Sequence, residues 1–214
     1  MTEMSPLGTT NFPAPEMDEM PDEEKYALQV KAGRPVFGVE MKIVDDKGAT
    51  LPNDGVAYGR LLVRGPWIIK KYFKSEENAV DADNWFDTGD ISSIDPDGYM
   101  AIVDREKDVI KSGGEWISSI DLENVIANHP DVLQTAVVGI PHPKWDERPL
   151  LFIVSNSGNE FDRSELDDLM LEKFEKWQLP DDVVFLKELP IGATGKVKKI
   201  DLRQEYTDHY MKEA

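Results

Sequence analysis

Apolar and polar residues alternate over Val39-Glu40-Met41-Lys42-Ile43-Val44, and the turn-forming run Asp45-Asp46-Lys47-Gly48 follows. That pattern predicts a strand entering a hairpin turn, with Gly48 supplying the positive φ. Residues 59–66, Gly59-Arg60-Leu61-Leu62-Val63-Arg64-Gly65-Pro66, predict a second strand with a glycine-proline stop. Residues 91–94 and 99–103, separated by Asp95-Pro96-Asp97-Gly98, predict a further hairpin. A short helix is expected earlier, capped by Asp22, running to about Lys31 with Tyr26, Leu28 and Val30 as its apolar positions, and ended by Gly33. Residues 33–103 thus read as a small antiparallel sheet or barrel, too short for an independent domain.

The period changes after residue 117. Ser118, with Asp121 three residues on, caps a helix carrying Leu122, Val125 and Ile126 and stopped by Pro130. Residues 133–140 and 150–154 are apolar runs of strand length. Asp162 with Glu165 opens a second helix, whose Leu166, Leu169, Met170, Phe174 and Trp177 share one face before Pro180 ends it. Val183-Val184-Phe185-Leu186 predicts a third core strand, and a terminal helix is expected from about Lys199. Strands between helices imply a compact α/β unit of roughly a hundred residues.

Between the two textures lies residues 104–117: a dense charge run, Asp104-Arg105-Glu106-Lys107-Asp108, a short apolar strand, and Gly113-Gly114. We read it as a boundary, with a first domain over 1–104, a second over 105–214, and a hinge near Lys107.

Composition narrows the function classes. The 214 residues carry 24 Lys and Arg against 42 Asp and Glu, a net charge of −18, with 40% hydrophobic and 31% charged residues. That field repels phosphate backbones and anionic lipid, so nucleic-acid binding is not expected, and an anionic ligand needs a local cluster of cations and N–H groups. There is no cysteine, hence no disulfide, thiolate metal site or thiol nucleophile. No apolar run has the roughly 20 residues that span a bilayer, and residues 1–6 lack the features of a signal peptide, so the cytoplasm is the expected compartment.

Several residues could carry chemistry. In Trp85-Phe86-Asp87-Thr88-Gly89-Asp90, an ionised carboxylate can accept two hydrogen bonds side by side, matching the two hydroxyls of a ribose; an ordinary turn between strands is the simpler reading. Arg105, just past a strand, could address a ribose or phosphate, or merely neutralise nearby acids. Gly113-Gly114 permits close approach of a narrow ligand, or makes a hairpin turn. Thr194-Gly195-Lys196 puts an ammonium charge on a glycine-rich loop, where it could neutralise a carboxylate and a phosphate as they react; it lacks the spacing of a P-loop. His129, His142 and His209 are scattered, without metal-ligand spacing.

Taken in order, Thr2-Glu3, residues 59–66, Asp87-Thr88-Gly89-Asp90, residues 104–114 and residues 190–196 resemble the final part of AMP-forming acyl-CoA ligases, members of the adenylate-forming superfamily. Ile110-Lys111-Ser112-Gly113-Gly114-Glu115-Trp116-Ile117-Ser118-Ser119 and Pro141-His142-Pro143-Lys144-Trp145-Asp146-Glu147-Arg148-Pro149 look most like the medium- and long-chain fatty-acid ligases and the methylmercaptopropionate ligases. The resemblance implies a small antiparallel subdomain followed by a mobile α/β domain. It also implies a reaction in which ATP and a carboxylate give an acyl-adenylate, and CoA then displaces AMP. By position, Thr2, Asp90, Ile102 and Arg105 would contact the nucleotide (ATP or AMP), and Glu3 would hold magnesium. Lys196 would bridge carboxylate and phosphate in adenylation. Lys107 would be the hinge, Lys111 would lie near the CoA or acyl-AMP, and Gly113 and Gly114 would border the CoA arm.

The loop Pro190-Ile191-Gly192-Ala193 departs from the basic residue and threonine usual in that family, Arg60 stands where many members have glutamate, and Trp116 where some have a polar residue. The family's phosphate loop, adenine segment and most of its acyl pocket precede the position of Thr2. The expectation is therefore a fragment of a ligase, inactive alone. Two other readings stay open: an acyl-AMP ligase that loads a carrier protein, and a non-catalytic interaction module retaining the fold.

Overall fold

The structure is a computed structural model describing residues 1–214 apart from Pro13, Ala14, Asn159, Thr194, Glu213 and Ala214. The backbone divides into two compact units, Met1–Glu106 and Lys107–Ala214.

In the first unit, β1 (Thr9–Thr10) pairs with β2 (Arg34–Pro35), and helix α1 (Asp22–Gln29) lies between them in sequence. Pro21, not Asp22, is the N-cap of α1: its carbonyl accepts from the Lys25 N–H at 3.0 Å, which places Asp22 inside the first turn. No residue of α1 is buried, and both Tyr26 and Val30 are exposed, so its apolar residues build no core face.

The sheet of this unit is an antiparallel meander of β3 (Glu40–Val44), β4 (Tyr58–Arg64), β5 (Phe86–Ile94) and β6 (Met100–Arg105), in that order. Ile43, Leu61, Val63, Phe86, Ile94 and Met100 fill its core. The turn after β3 forms as expected, with Gly48 at φ 82° and Asp45 Oδ1 accepting from the Lys47 and Ala49 N–H groups. It returns only as far as one bridge, Val44 to Thr50, and the strand partner of β3 is β4. Asp87-Thr88-Gly89-Asp90 lies within β5 and not at a turn between strands. Arg60 pairs with Ile91 while Leu62 pairs with Asp87, so one residue of β4 faces three of β5. Gly89, at φ 69°, takes up the extra length as a bulge.

In the second unit, β7 (Ile110–Ser112) and β8 (Glu115–Ile117) form a hairpin closed by Gly113 (φ 62°) and Gly114 (φ 89°). Two successive positive φ values are what a type I′ turn requires, which explains the glycine pair locally. Then come α2 (Ser119–Ile126), the long antiparallel pair β9 (Val132–His142) and β10 (Asp146–Ser155), α3 (Arg163–Leu171), β11 (Asp182–Phe185) and α4 (Lys199–Glu205). β11 joins β10 in parallel; the other pairings in this sheet are antiparallel, so the unit is mixed α+β and not a regular alternation of parallel strands and helices. Val137, Leu151 and Ile153 pack with α2 and α3, whereas Val138, Leu150 and Phe152 pack with Leu202 of α4 and with Tyr210. Burial on both faces is why β9 and β10 read as unbroken apolar runs.

α3 stops at Leu171, earlier than the periodicity predicts. Phe174 is only partly buried, and Trp177 is 44% exposed in a separate 3-10 turn (Lys176–Gln178). Beyond Glu172 the chain is instead tied down by distant arginines: Arg148 donates to Trp177 O and Leu179 O, and Arg163 to Pro180 O. Asp162 does cap α3 through the Ser164 N–H, but Glu165 meets His129 at 3.3 Å and does not complete a reciprocal box.

Ser118 Oγ accepts from the Asp121 N–H at 3.1 Å and caps α2. Ser118→Ala is therefore expected to lower the unfolding free energy by about 1 kcal/mol. Urea denaturation followed by circular dichroism would read this as a lower midpoint at unchanged slope.

Candidate functional site

In the first unit, the bulge in β5 and the end of β6 build a polar corner. Asp90 and Arg105 are register partners across the two strands, and Arg105 Nε lies 2.9 Å from Asp90 Oδ1. Asp90 is 8% exposed, whereas the Arg105 side chain is 53% exposed, so the arginine is the accessible member of the pair. Burial pushes the Asp90 carboxyl above its ordinary pKa, and the Arg105 guanidinium opposes that shift. The corner is locked from behind. Thr88 Oγ1 donates to Leu61 O and accepts from the Asp90 N–H, Gly89 N–H donates to Asp87 Oδ1, and the Glu106 N–H donates to Gly89 O. Arg60 donates to Asp87 Oδ2 at 2.6 Å.

Arg105, Gly89, Asp87, Phe86, Tyr72 and Glu3 line one cavity of about 560 Å³. Glu3 Oε1 accepts from the Tyr72 hydroxyl at 3.1 Å, and its backbone carbonyl accepts from the Ile69 N–H. Burial, and then the Glu3 carboxylate, raise the pKa of the Tyr72 hydroxyl. Among the described residues no group of three His, Asp or Glu side chains gathers to hold a metal. A lone carboxylate oxygen is the kind of ligand that suits a hard cation such as magnesium, which keeps most of its shell as water. Thr2, in the same one-turn 3-10 helix as Glu3, is exposed, and Ile102 on β6 is 53% exposed.

In the second unit, Lys107 is exposed at the first position. Lys111 sits on β7, with its N–H donating to Glu147 Oε2 at 3.0 Å and its ammonium 5.5 Å from the Trp116 ring. Gly113 N–H donates to Trp145 O at 2.9 Å, and a β-carbon there would stand 3.0 Å from the Trp145 indole. At Gly114 a β-carbon would meet nothing within 4 Å, so this side of the turn is open. Lys196 is exposed on a loop whose base is closed by Lys198 N–H to Pro190 O and by the bridge Ile191 to Val197. Thr194 of that loop lies outside the described residues. At its exit, Lys199 bonds Ser119 Oγ and Glu123 Oε1 of α2, each at 2.7 Å.

The structure thus brings Arg105 and Glu3 around one cavity, with Asp90 paired to Arg105 behind it, and Lys111, Gly113 and Gly114 onto one hairpin. Sequence reasoning did not single out Tyr72, Lys199 or Arg148 as parts of either arrangement. Arg148 is 8% exposed and bonded on every side. An arginine amid the apolar residues of a buried strand was the one available signal, since a charge there must be paired.

The chain matches the model for AMP-binding enzymes over residues 1–73 and the model for the AMP-binding enzyme C-terminal domain over residues 121–196. It is 53% identical over 208 residues to a 3-methylmercaptopropionyl-CoA ligase of Ruegeria lacuscaerulensis, covering 97% of this chain and 39% of that protein. It is 47% identical to a medium-chain-fatty-acid–CoA ligase of Ectopseudomonas oleovorans, covering 97% of this chain and 38% of that one. Its fold is similar, with a TM-score of 0.74 and 31% identity, to the o-succinylbenzoate CoA synthetase of Bacillus subtilis solved with its acyl-adenylate intermediate, over 86% of this chain and 37% of that chain. The 214 residues span about two fifths of the length of these relatives.

Proposed function

We infer that this chain, which belongs to the AMP-binding enzymes, is the C-terminal part of an AMP-forming acyl-CoA ligase. The whole enzyme joins a fatty-acid-type carboxylate to ATP, giving acyl-adenylate and pyrophosphate. The thiol of CoA then attacks the acyl carbon, AMP leaves, and the thioester remains. The observation that carries this reading is the Asp90–Arg105 pair beside the Glu3 cavity, in a chain 53% identical along nearly its whole length to a CoA ligase.

The roles divide between the units. Asp90 accepts from the ribose hydroxyls, with Arg105 holding it and reaching the sugar or phosphate. Thr2 contacts the phosphate and Ile102 packs near the nucleotide, while Glu3 would hold a magnesium ion, which would supply charge neutralisation at the phosphates. Lys196 bridges carboxylate and phosphate during adenylation. Lys107 is the hinge; support comes from the division of the backbone between Glu106 and Lys107 and from Arg105 lying on β6 beside Asp90. Lys111 works near the CoA or acyl-AMP, and Gly113 and Gly114 border the thiol arm, for which the open side of Gly114 leaves room. The enzyme works in the cytoplasm.

Because these residues correspond to about two fifths of the relatives, the 214-residue chain with ATP, CoA and a medium-chain fatty acid is expected to form no acyl-CoA. Fused behind the upstream part of the 53%-identical methylmercaptopropionyl-CoA ligase, it is expected to restore both ATP–pyrophosphate exchange and CoA thioester formation. Robust thioester formation by the chain alone, or a fusion that loads a carrier protein in preference to CoA, would overturn the reading.

A further inference from the structure

Arg148 stands at the start of β10, next to the tip of the β9–β10 hairpin, and its guanidinium uses all five of its N–H donors. Nε and Nη2 grip Asp181 at 2.7 and 2.6 Å, Nη2 also donates to Leu179 O at 3.0 Å, and Nη1 donates to Trp177 O at 2.6 Å and to Ser112 Oγ at 3.0 Å. Ser112 is buried and immediately precedes the Gly113-Gly114 turn. The same hairpin tip holds the rest of that turn: Trp145 O takes the Gly113 N–H, Glu147 Oε2 takes the Lys111 N–H, and Asp146 pairs in register with Ser112. Beside the turn a cavity of about 400 Å³ opens between Trp145 and Trp177, with Ser112, Gly113 and Arg148 among its walls.

A buried guanidinium is a poor means of gaining stability alone, because an apolar side chain of similar volume is often as good or better. What the fork supplies is geometry: five fixed directions that tie the turn, the Trp177 backbone and Asp181 into one rigid body. Lysine cannot reproduce this. Resting on the ligase reading above, we infer that Arg148 is a positioning residue for the thioester-forming half-reaction. It holds Ser112, and through it the Gly113-Gly114 turn, at the place past which the thiol arm must run. All five of its donors are spent on Ser112, Asp181 and the Trp177 and Leu179 carbonyls, which leaves none for a substrate, so its role falls on the turn and not on adenylation.

The test uses the fusion described above, with two assays: ATP–pyrophosphate exchange for adenylation, and acyl-CoA formation from supplied acyl-adenylate. Arg148→Met is expected to lower kcat for thioester formation roughly 10- to 100-fold, the scale of a small misplacement in an oriented reaction. Pyrophosphate exchange, and KM for ATP and fatty acid, should stay within about twofold, since no group of that step is moved. Ser112→Ala removes one of the five bonds and leaves the fork on Asp181 and both carbonyls; a several-fold loss confined to the same half-reaction is expected even if Arg148→Met fails to fold. In the 214-residue chain itself, Ser112→Ala should speed hydrogen exchange at the Gly113 amide. Equal losses in both half-reactions, no loss in Ser112→Ala, or unchanged exchange at Gly113 would overturn the inference. An unmutated fusion inactive in both assays would instead refute the ligase reading, leaving the exchange measurement to decide the positioning claim.

Discussion

Lys196→Ala, made in the fusion, is expected to slow ATP–pyrophosphate exchange roughly 100- to 1000-fold, the usual cost of removing one preorganised electrostatic contact from a transition state. Thioester formation from supplied acyl-adenylate should change little. The reason lies in the loop. Lys196 is exposed and, among the described residues, makes no ion pair, so its ammonium is available to a negative partner from outside the loop. Its backbone is nevertheless set: Gly192 N–H bonds Lys196 O, Gly195 turns at φ 77°, and Lys199 anchors the loop exit to α2. A charge on a fixed base can meet the carboxylate and phosphate when they react, without belonging to the later step. Lys198, two residues on and paired with Asp201, is the internal control. Lys198→Ala should leave exchange within about twofold, as expected for an exposed ion pair of little energetic worth. Equal losses in the two lysine variants would mean that general charge, and not the position of Lys196, sets the rate.

How much of this was legible beforehand depends on the range of the interaction. Local signals were read correctly: the Ser118 cap, the Asp95-Pro96-Asp97-Gly98 hairpin, and the glycine pair that a two-residue turn demands. Where a distant residue decides, the periodicity misled. Leu166, Leu169, Met170, Phe174 and Trp177 share a helical face on paper, yet the helix ends at Leu171 and Trp177 lies in a separate 3-10 turn whose carbonyl Arg148 holds. The Asp87–Asp90 segment reads as a turn because Gly89 is a turn residue. It is a strand because Gly89 makes a bulge opposite Leu61, a pairing that no local pattern encodes. The same distinction applies to function. Asp90 and Lys196 were named from motif order, whereas Arg148 and Tyr72 gain meaning only from what folding sets beside them.

Asp90→Ala is expected to weaken binding of adenosine to the fusion by about 3 kcal/mol, roughly 100-fold in Kd, since two hydrogen bonds to a charged acceptor are lost together. Adenosine is the better probe than AMP because it has no phosphate to titrate over the same range. The protonation state of Asp90 then makes a sharper claim. Burial raises its pKa and Arg105 only partly opposes this, so the free protein holds the proton to a higher pH than an unfolded chain does, whose carboxyl titrates near about 4. In the stability balance, the native state binds the extra proton in the window between the two values. The contribution of Asp90 is thus fully present below the unfolded pKa and is lost as pH rises through the raised folded one. Ribose recognition has the opposite sign, because only the ionised carboxylate accepts from both hydroxyls. Adenosine affinity should therefore fall as pH is lowered, with a midpoint above the ordinary carboxylate value. Arg105→Met should move that midpoint further up, since the guanidinium 2.9 Å from Asp90 favours its ionised form. Calorimetric titrations between about pH 4 and 8 would settle it: Asp90→Asn should bind weakly with no such midpoint, and a midpoint unmoved by Arg105→Met would separate Arg105 from the electrostatics of Asp90.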